Sequence, residues 1–237
     1  MLKRLFVIFG IGFIIALPNV SAAEYYKNDN GVTLSKEEYD FLSYMFWDGC
    51  QSLMTKVDYE KFINSDIMNG ELDSKIYNEP MTRATSIENN NRTFKISKSC
   101  TTNCLISVTL TWKNNPTVKS HDVMGAYLDG TSLQNTPTTM ILTSNGSTKI
   151  TDLKKANNGF GVSMLLPKSG NNIVINQNFR VSKGGTVYAS YQHAMQNITL
   201  GDSKNYTFSK AGYGQVFKFS GTAASVYDRF NGVNISV

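Results

Sequence analysis

The chain has 237 residues, of which 41% are hydrophobic, 17% are charged and 11% are aromatic. This hydrophobic content is enough for a buried core and excludes a disordered tail. The abundance of aromatic residues, Asn and Thr favours strands and turns over long helices. The formal net charge is +5, and its uneven distribution along the chain is informative.

The N-terminal segment has the pattern of a secretory signal peptide. Lys3 and Arg4 precede an apolar run over residues 5–17, and small residues end the segment at Val20-Ser-Ala22. This order of basic, apolar and small residues is typical of export signals, and the run is shorter than the roughly 20 residues that span a bilayer. We expect cleavage after residue 22, no transmembrane anchor in the mature chain, and release or non-covalent attachment at the cell surface.

Charge divides the mature chain into two unlike parts. Residues 24–88 contain 13 acidic and 6 basic side chains, a net charge of 6 − 13 = −7, whereas residues 89–237 contain 5 and 15, a net of 15 − 5 = +10. All seven Glu residues lie in the first part. Because Glu favours helices and Asp favours turns, we predict a signal peptide at 1–22, an acidic helical module at 23–72 and a basic β-sandwich domain at 73–237.

Two capping motifs predict helices in the acidic part. Ser35 with Glu38, and Thr55 with Asp58, have the spacing at which two side chains satisfy the free amides of a helix N-terminus. Apolar residues at helical spacing follow each motif. We therefore expect two short amphipathic helices, the second ending near Asn64, each packing an apolar face on the rest of the protein.

The basic part has the pattern of many short strands. Residues 103–112 alternate between an apolar side, from Cys104 to Trp112, and a more polar side, which predicts a half-buried strand. Because no helical segments intervene, we predict a mainly β fold, an antiparallel β-sandwich or jelly-roll-like domain. The other predicted strands lie near residues 92–97, 123–128, 138–143, 162–166, 173–181, 186–193, 197–200, 206–209, 215–219, 224–227 and 233–237.

Several segments resemble uncharacterised secreted proteins of Gram-positive, AT-rich bacteria. The sequences NGVTLSKEEY at 30–39 and MTKVDYEKF at 54–62 are similar to a short N-terminal helical module of those proteins. The segments at 99–112, 184–193 and 212–219 are similar to parts of their β-rich domain of unknown function. The resemblance implies secretion and a bacterial source, and it supplies no activity to transfer to this chain.

The three cysteines are an odd number for an exported chain. Cys100 and Cys104 bracket a predicted turn between strands, so we expect them to form a disulfide. Cys50 lies in the helical part and is expected to stay reduced as a small buried hydrophobic residue. A zinc site formed by these thiols and His121 lacks a fourth ligand nearby, and Asp122 with Asp129 is too sparse for calcium. We therefore predict no metal and no cofactor.

Two histidines are the only candidate general bases near neutral pH. His121 lies in a predicted turn and His193 ends a predicted strand, and neither has an identifiable nucleophile beside it in the sequence. We therefore predict no catalytic residues. The alternative function is a secreted hydrolase that acts on a cell-wall polymer with one of these histidines as base, which requires a cleft and a Ser or Asp within hydrogen-bond reach.

The predicted function is non-enzymatic recognition of anionic polymers or glycans outside the cell. Basic residues near two predicted strands and aromatic residues on β structure are the candidate ligand contacts, because cations attract polyanions and aromatic faces stack on sugar rings. We expect no nucleic acid partner, and the oligomeric state is left open. A toxin that inserts hairpins into membranes is a third possibility. The candidate residues are Arg92, Lys95, Lys98, Lys149, Lys154, Lys155, Tyr188 and Tyr191.

Overall fold

The computed structural model describes residues 24–78, 92–156, 158–210 and 214–237. The predicted signal peptide at 1–22 lies outside these residues, and so does Tyr213. The described residues contain four α-helices, α1 (Lys36–Met45), α2 (Lys56–Ile63), α3 (Leu200–Ser203) and α4 (Ala223–Val226). Within the described residues no helix is long and apolar enough to cross a membrane.

Fifteen strands make up most of the regular structure of the described residues. They are β1 (Tyr25–Lys27), β2 (Thr33–Ser35), β3 (Glu71–Asn78), β4 (Arg92–Cys100), β5 (Asn103–Trp112), β6 (His121–Asp129), β7 (Thr138–Thr143), β8 (Gly146–Ile150), β9 (Leu153–Ala156), β10 (Gly159–Leu165), β11 (Val174–Ser182), β12 (Thr186–Gln192), β13 (Tyr206–Phe208), β14 (Phe217–Phe219) and β15 (Val233–Ser236). The mainly β fold predicted from the sequence is confirmed.

Two antiparallel sheets face each other across one apolar core. The six-stranded sheet has the order β3-β4-β5-β11-β7-β8, and the five-stranded sheet has the order β15-β12-β6-β10-β9. Side chains from both sheets form the main core cluster, which includes Phe94, Leu110, Trp112, Phe160 and Phe179. This arrangement is that of a β-sandwich, in which alternate residues of each strand point into the space between the sheets.

The two capping motifs begin the two longer helices. The Ser35 hydroxyl accepts a hydrogen bond from the Glu38 amide at 3.2 Å, while the Glu38 carboxylate accepts one from the Ser35 amide at 2.7 Å. Thr55 and Asp58 form the same reciprocal pair at the start of α2. A second apolar cluster, with Leu34, Phe41, Met45 and others, lies around these helices. That residues 23–72 form a separate module stays a prediction. Strand β3 crosses the predicted boundary between residues 72 and 73.

The outer face of the six-stranded sheet is polar where the helical segment covers it. Ser107 and Thr109 on β5 are buried, and both accept hydrogen bonds from Asn176 Nδ2 at 2.9 Å. The Thr109 hydroxyl also donates to the Phe46 carbonyl at 3.1 Å. The centre of strand β5 is therefore buried on both faces. The chain between α1 and α2 covers the more polar face, which the alternating sequence predicts to be exposed to solvent.

Two predicted strands are wrong. Residues 197–200 were expected to be extended, but Thr199 caps the short helix α3 by accepting from the Asp202 amide at 3.0 Å. Residues 224–227 were also expected to be extended, but most of them form α4. The reason is local, because a capping Thr–Asp pair and a pair of Ala residues favour a helical turn over a three- or four-residue apolar strand.

Candidate functional site

The basic residues of strand β4 are used inside the protein. Arg92 is buried between the sheets, with Nη2 at 2.6 Å from Asp228 Oδ2. Lys95 Nζ donates to the Ser43 and Tyr44 carbonyls at 3.3 and 2.7 Å, and burial lowers its pKa. Lys98 is buried, and its ammonium group lies 3.5 Å from Glu71 Oε1. The structure therefore does not place these three cations on one exposed binding face.

The second predicted cluster of lysines is divided between the two sheets. Lys149 is exposed on edge strand β8, whereas Lys154 and Lys155 lie on edge strand β9 of the other sheet. Lys154 Nζ donates to the Lys204 and Tyr206 carbonyls at 2.8 and 2.6 Å, and burial lowers its pKa. Only Lys149 and Lys155 of this cluster are exposed to solvent.

The candidate aromatic residues serve mainly in packing. Tyr191 and Trp112 are fully buried, and Trp112 Nε1 donates to the Tyr191 hydroxyl at 3.2 Å. Tyr188 is half-buried, packs against a small apolar cluster, and has Lys210 Nζ at 5.0 Å from its ring centre. Tyr127 and Tyr227 pack against the same cluster. These residues do not form an exposed stacking platform.

His193 belongs to a buried polar cluster at one end of the sandwich. Its Nδ1 lies 2.9 Å from Asp122 Oδ2, so the ring donates a hydrogen bond to this carboxylate. The same carboxylate accepts from the Tyr191 hydroxyl and from the Ala194 amide. Burial by itself lowers the pKa of His193, but the charge and hydrogen bond of Asp122 outweigh it and raise that pKa.

The Arg92–Asp228 ion pair completes this buried cluster. The Asp228 carboxylate also accepts a hydrogen bond from the His193 amide at 3.0 Å. The Arg92 guanidinium lies over the rings of Phe230 and Trp112, at 4.2 and 5.0 Å from their centres. Asp122 and His193 are both fully buried, so the His193 ring lies beneath the surface and contacts no open cleft. The geometry fits a structural role for His193 and does not favour this histidine as the base of a hydrolase.

A surface groove around His121 is the candidate site. Its volume is about 380 Å³. It lies where the β5–β6 loop, the β10–β11 loop and the segment after β12 meet at one end of the sandwich. Loops at the ends of a sandwich are frequent positions for binding sites, because the sheets hold them rigidly while their sequences are free to vary. The lining residues are Lys119, Ser120, His121, Leu165, Lys168, Asn197, Ile198 and Thr199.

Hydrogen bonds hold the three segments of the groove together. Lys119 Nζ donates to the Lys168 carbonyl at 3.0 Å, which joins the first two loops. Ser120 Oγ donates to the Ile198 carbonyl at 3.2 Å and accepts from the Ile198 amide at 2.9 Å. His121 Nδ1 lies 2.9 Å from the same carbonyl and must carry a proton there, because a carbonyl oxygen only accepts.

The charged residues that line the groove are all basic. Its lining contains Lys119 and Lys168 and no Asp or Glu. The stretches 113–121, 166–173 and 194–199 that supply the loops contain a further lysine, Lys113, and also lack acidic residues. Asp122 follows directly but is buried. The partly exposed Asp202 carboxylate accepts from Thr199 Oγ1 at 2.8 Å just beyond the lining. The lining itself carries two lysines and no carboxylate, which suits an anionic ligand.

Sequence reasoning identified His121 but missed the two groove lysines. Lys119 and Lys168 lie in different loops and are 49 residues apart in the chain, so their proximity is a product of the sheet topology. A local signal was present, since both loops combine Pro, Lys and Asn and lack acidic residues.

The cysteines lie away from this groove. Cys100 and Cys104 form a disulfide that joins β4 to β5, as the sequence predicted. Cys50 has a free thiol that donates to the Leu42 carbonyl at 3.4 Å, and burial raises its pKa to about 11. In the described residues no group of three or more His, Cys, Asp or Glu side chains is arranged to hold a metal ion.

Comparisons with known proteins supply no family. No protein-family model matches the chain, and no curated protein matches it. One solved structure, the enzymatically active domain of bacteriophage CBA120 tailspike protein 4, is similar at a TM-score of 0.26 and 14% identity. The alignment covers 52% of this chain and 18% of the tailspike chain.

Proposed function

We propose that this protein is an exported, non-enzymatic recognition protein that binds anionic polymers through the basic groove around His121. The observation that supports this most directly is that two lysines from different loops, Lys119 and Lys168, line the groove and no Asp or Glu does. Wall polymers that carry phosphates, and glycans that carry carboxylates or sulfates, are the matching class of ligand. Export rests on the N-terminal sequence pattern alone.

Electrostatics favours an extended ligand over a small anion. The groove is open to solvent, and each exposed contact between opposite charges contributes at most about 1 kcal/mol. A repeating anion contacts Lys119 and Lys168 together and reaches exposed Lys113 on the same loop as Lys119. Several weak contacts along one polymer then add up to useful affinity, and they weaken as salt screens them over about 8 Å at physiological ionic strength.

Two other groups of the groove give it a polar and an apolar side. His121 Nδ1 is engaged with the Ile198 carbonyl, which leaves Nε2 as the ring atom able to bond to a ligand hydroxyl or anion. Leu165, which pairs with His121 across strands β10 and β6, is 50% exposed in the groove lining. This combination suits a polymer with anionic groups on an aliphatic or sugar backbone.

The proposal is tested by measuring binding of long-chain polyphosphate to the mature chain and to a Lys119→Gln/Lys168→Gln variant. We expect the variant to lose about tenfold in affinity at low salt, since two exposed charge contacts are removed. The slope of log affinity against log salt should also become shallower, because fewer counterions are exchanged.

The matched control is a Lys149→Gln/Lys155→Gln variant, which changes net charge by the same amount on the two exposed lysines first singled out from the sequence. It should bind almost as tightly as the wild type. Equal losses in both variants would show that only net charge matters, and a larger loss in the control would move the binding surface to the edge strands. Neither result is compatible with the groove.

A further inference from the structure

Strand β3 is an open edge of the six-stranded sheet. It pairs with β4 on one side, and no other strand of the described residues pairs with its second side. It has eight residues, whereas the other three edge strands of the two sheets, β8, β9 and β15, have five, four and four. A long open edge offers a row of backbone donors and acceptors that another strand can use.

Strand β3 exposes two aliphatic side chains beside the charged Glu71, Asp73 and Lys75. Leu72 is 42% exposed and Ile76 is 56% exposed. They lie on the same face of the sheet, opposite Ser99 and Lys95 of β4. Soluble proteins commonly protect such edges with charged residues, short strands or proline, and β3 has neither of the last two.

We propose that two copies of this chain pair through β3 in an antiparallel arrangement centred on Ser74. A two-fold axis at Ser74 places residues n and 148 − n opposite each other, because the paired numbers must sum to 74 + 74. Leu72 then faces Ile76 of the second copy, and Asp73 faces Lys75 of the second copy. Both relations occur twice by symmetry, which gives two apolar pairs on one face and two ion pairs on the other.

The residue order of β3 is self-complementary, which is why we choose a second copy of this chain as its partner. The residues read Leu72-Asp73-Ser74-Lys75-Ile76, so reversing the strand about Ser74 exchanges an acid with a base and an aliphatic residue with another. Directly opposite residues on antiparallel strands stabilise the pairing when they are apolar or oppositely charged, and destabilise it when their charges are alike. A register shifted by one residue puts Leu72 against Lys75 and loses both kinds of pair.

The charged residues of the centre are available for this pairing. Asp73 and Lys75 are exposed, and the Asp73 carboxylate accepts a hydrogen bond from the Ser74 amide at 2.8 Å. Glu71, by contrast, is engaged by Lys98 of its own chain and faces Tyr77 of the second copy. The proposal therefore uses only the charges that the single chain leaves at the open edge.

Charge reversal at the centre of β3 tests the pairing. We expect the mature wild-type chain to form a dimer in sedimentation equilibrium, with a dissociation constant that Asp73→Lys or Lys75→Asp raises about tenfold or more, because each variant sets like charges opposite each other twice. The double variant Asp73→Lys/Lys75→Asp restores opposite charges and should restore the dimer. Lys149→Asp, on edge strand β8 of the same sheet, is the control and should leave the equilibrium unchanged.

Several results would overturn the proposal. A wild-type chain that remains monomeric at the highest soluble concentration contradicts it, and so does a dimer that both single reversals leave intact. Failure of the double variant to recover the dimer, while its circular dichroism spectrum shows the native fold, contradicts the specific register. A dimer lost equally in Lys149→Asp would show that β3 is not the interface. None of these results bears on the basic groove, which lies in other loops.

Discussion

The ion pair of Arg92 and Asp228 is buried in the sandwich, with Arg92 Nη2 at 2.6 Å from Asp228 Oδ2. Arg92 begins a strand whose basic residues alternate, so the sequence favoured a surface role. In the folded chain its guanidinium lies against Asp228 and between the rings of Trp112 and Phe230. Its partner lies 136 residues away, since 228 − 92 = 136. No local pattern in the sequence encodes such a contact.

Removal of this buried cation should strongly destabilise the protein. Arg92→Met leaves the Asp228 carboxylate buried without its ion-pair partner, and breaking one side of such a pair costs about 3–5 kcal/mol in the free energy of unfolding. Denaturant unfolding of the variant measures this loss. Arg229→Met changes an exposed neighbouring arginine and should cost less than about 0.5 kcal/mol. Similar small losses in both variants would mean that the pair contributes little.

The buried ring of His193 predicts that the stability of the fold depends on pH. Burial opposes the charged form of His193, but Asp122 raises its pKa above the usual value of 6.5. A histidine whose pKa is higher in the folded than in the unfolded state stabilises the fold fully below pH 6.5. That contribution is lost as the pH rises through the folded-state pKa.

We therefore expect the melting temperature to fall as the pH is raised from 6 through the folded-state pKa of His193. His193→Gln should flatten this part of the curve, while His121→Gln, which changes the other histidine, should keep it. An NMR titration of the wild-type rings gives the pKa of His193 directly. A value below 6.5 would contradict the assignment of Asp122 as the dominant partner.

At the scale of elements, local patterns predicted most strands and both capped helices. Strands β5 and β7 were predicted with the bounds that the structure gives, because alternation and flanking turn residues mark them clearly. The prediction missed β1, β2, β3, β8 and β9 and gave residues 197–200 and 224–227 the wrong type. Strand β3 is exposed on both faces for most of its length, so it lacks the alternation of a half-buried strand.

The docking of helix α1 on the sheet depends on a lysine that the sequence assigned to ligand binding. Lys95 Nζ donates to the Ser43 and Tyr44 carbonyls in the last turn of α1, where free carbonyl groups carry partial negative charge. Lys95→Met keeps the aliphatic stem and removes the donor. We expect it to lower the free energy of unfolding by about 1 kcal/mol, which chemical denaturation measures.

The control for this helix prediction is Lys149→Met, which removes an exposed lysine from β8. Its effect should stay within about 0.5 kcal/mol, as is usual for surface substitutions. If Lys95→Met has as little effect, or if it weakens polyphosphate binding without affecting stability, the lysine belongs to a ligand site after all.

At the scale of the whole molecule, the uneven charge of the two parts has a partial internal explanation. Lys95 of the basic part donates a hydrogen bond to a carbonyl group of α1. Lys98 of the same part forms an ion pair with Glu71 of the acidic part. The basic groove lies instead at the loop end of the sandwich, and its residues come from three segments. The sequence shows that charge is segregated along the chain. That Lys119 and Lys168 lie together could be learned only from the sheet topology.

The separate apolar clusters predict that the sandwich folds without the helices. The main core draws on both sheets, whereas the helices surround a cluster of their own to which the sheet contributes Leu105. A chain that starts at Gly70 keeps strand β3 whole and should unfold in one cooperative thermal transition, at a lower temperature than the mature chain. Soluble protein with no cooperative transition would show that the sandwich requires the helical segment.

Lysine footprinting in the presence of polyphosphate tests whether anionic polymers bind in the groove around His121. Acetylation rates of individual lysines are measured by mass spectrometry with and without saturating polymer. The account predicts slower acetylation at Lys119 and Lys168 and unchanged rates at Lys149 and Lys155. Protection at Lys149 and Lys155 alone, or uniform protection of all exposed lysines, would contradict it.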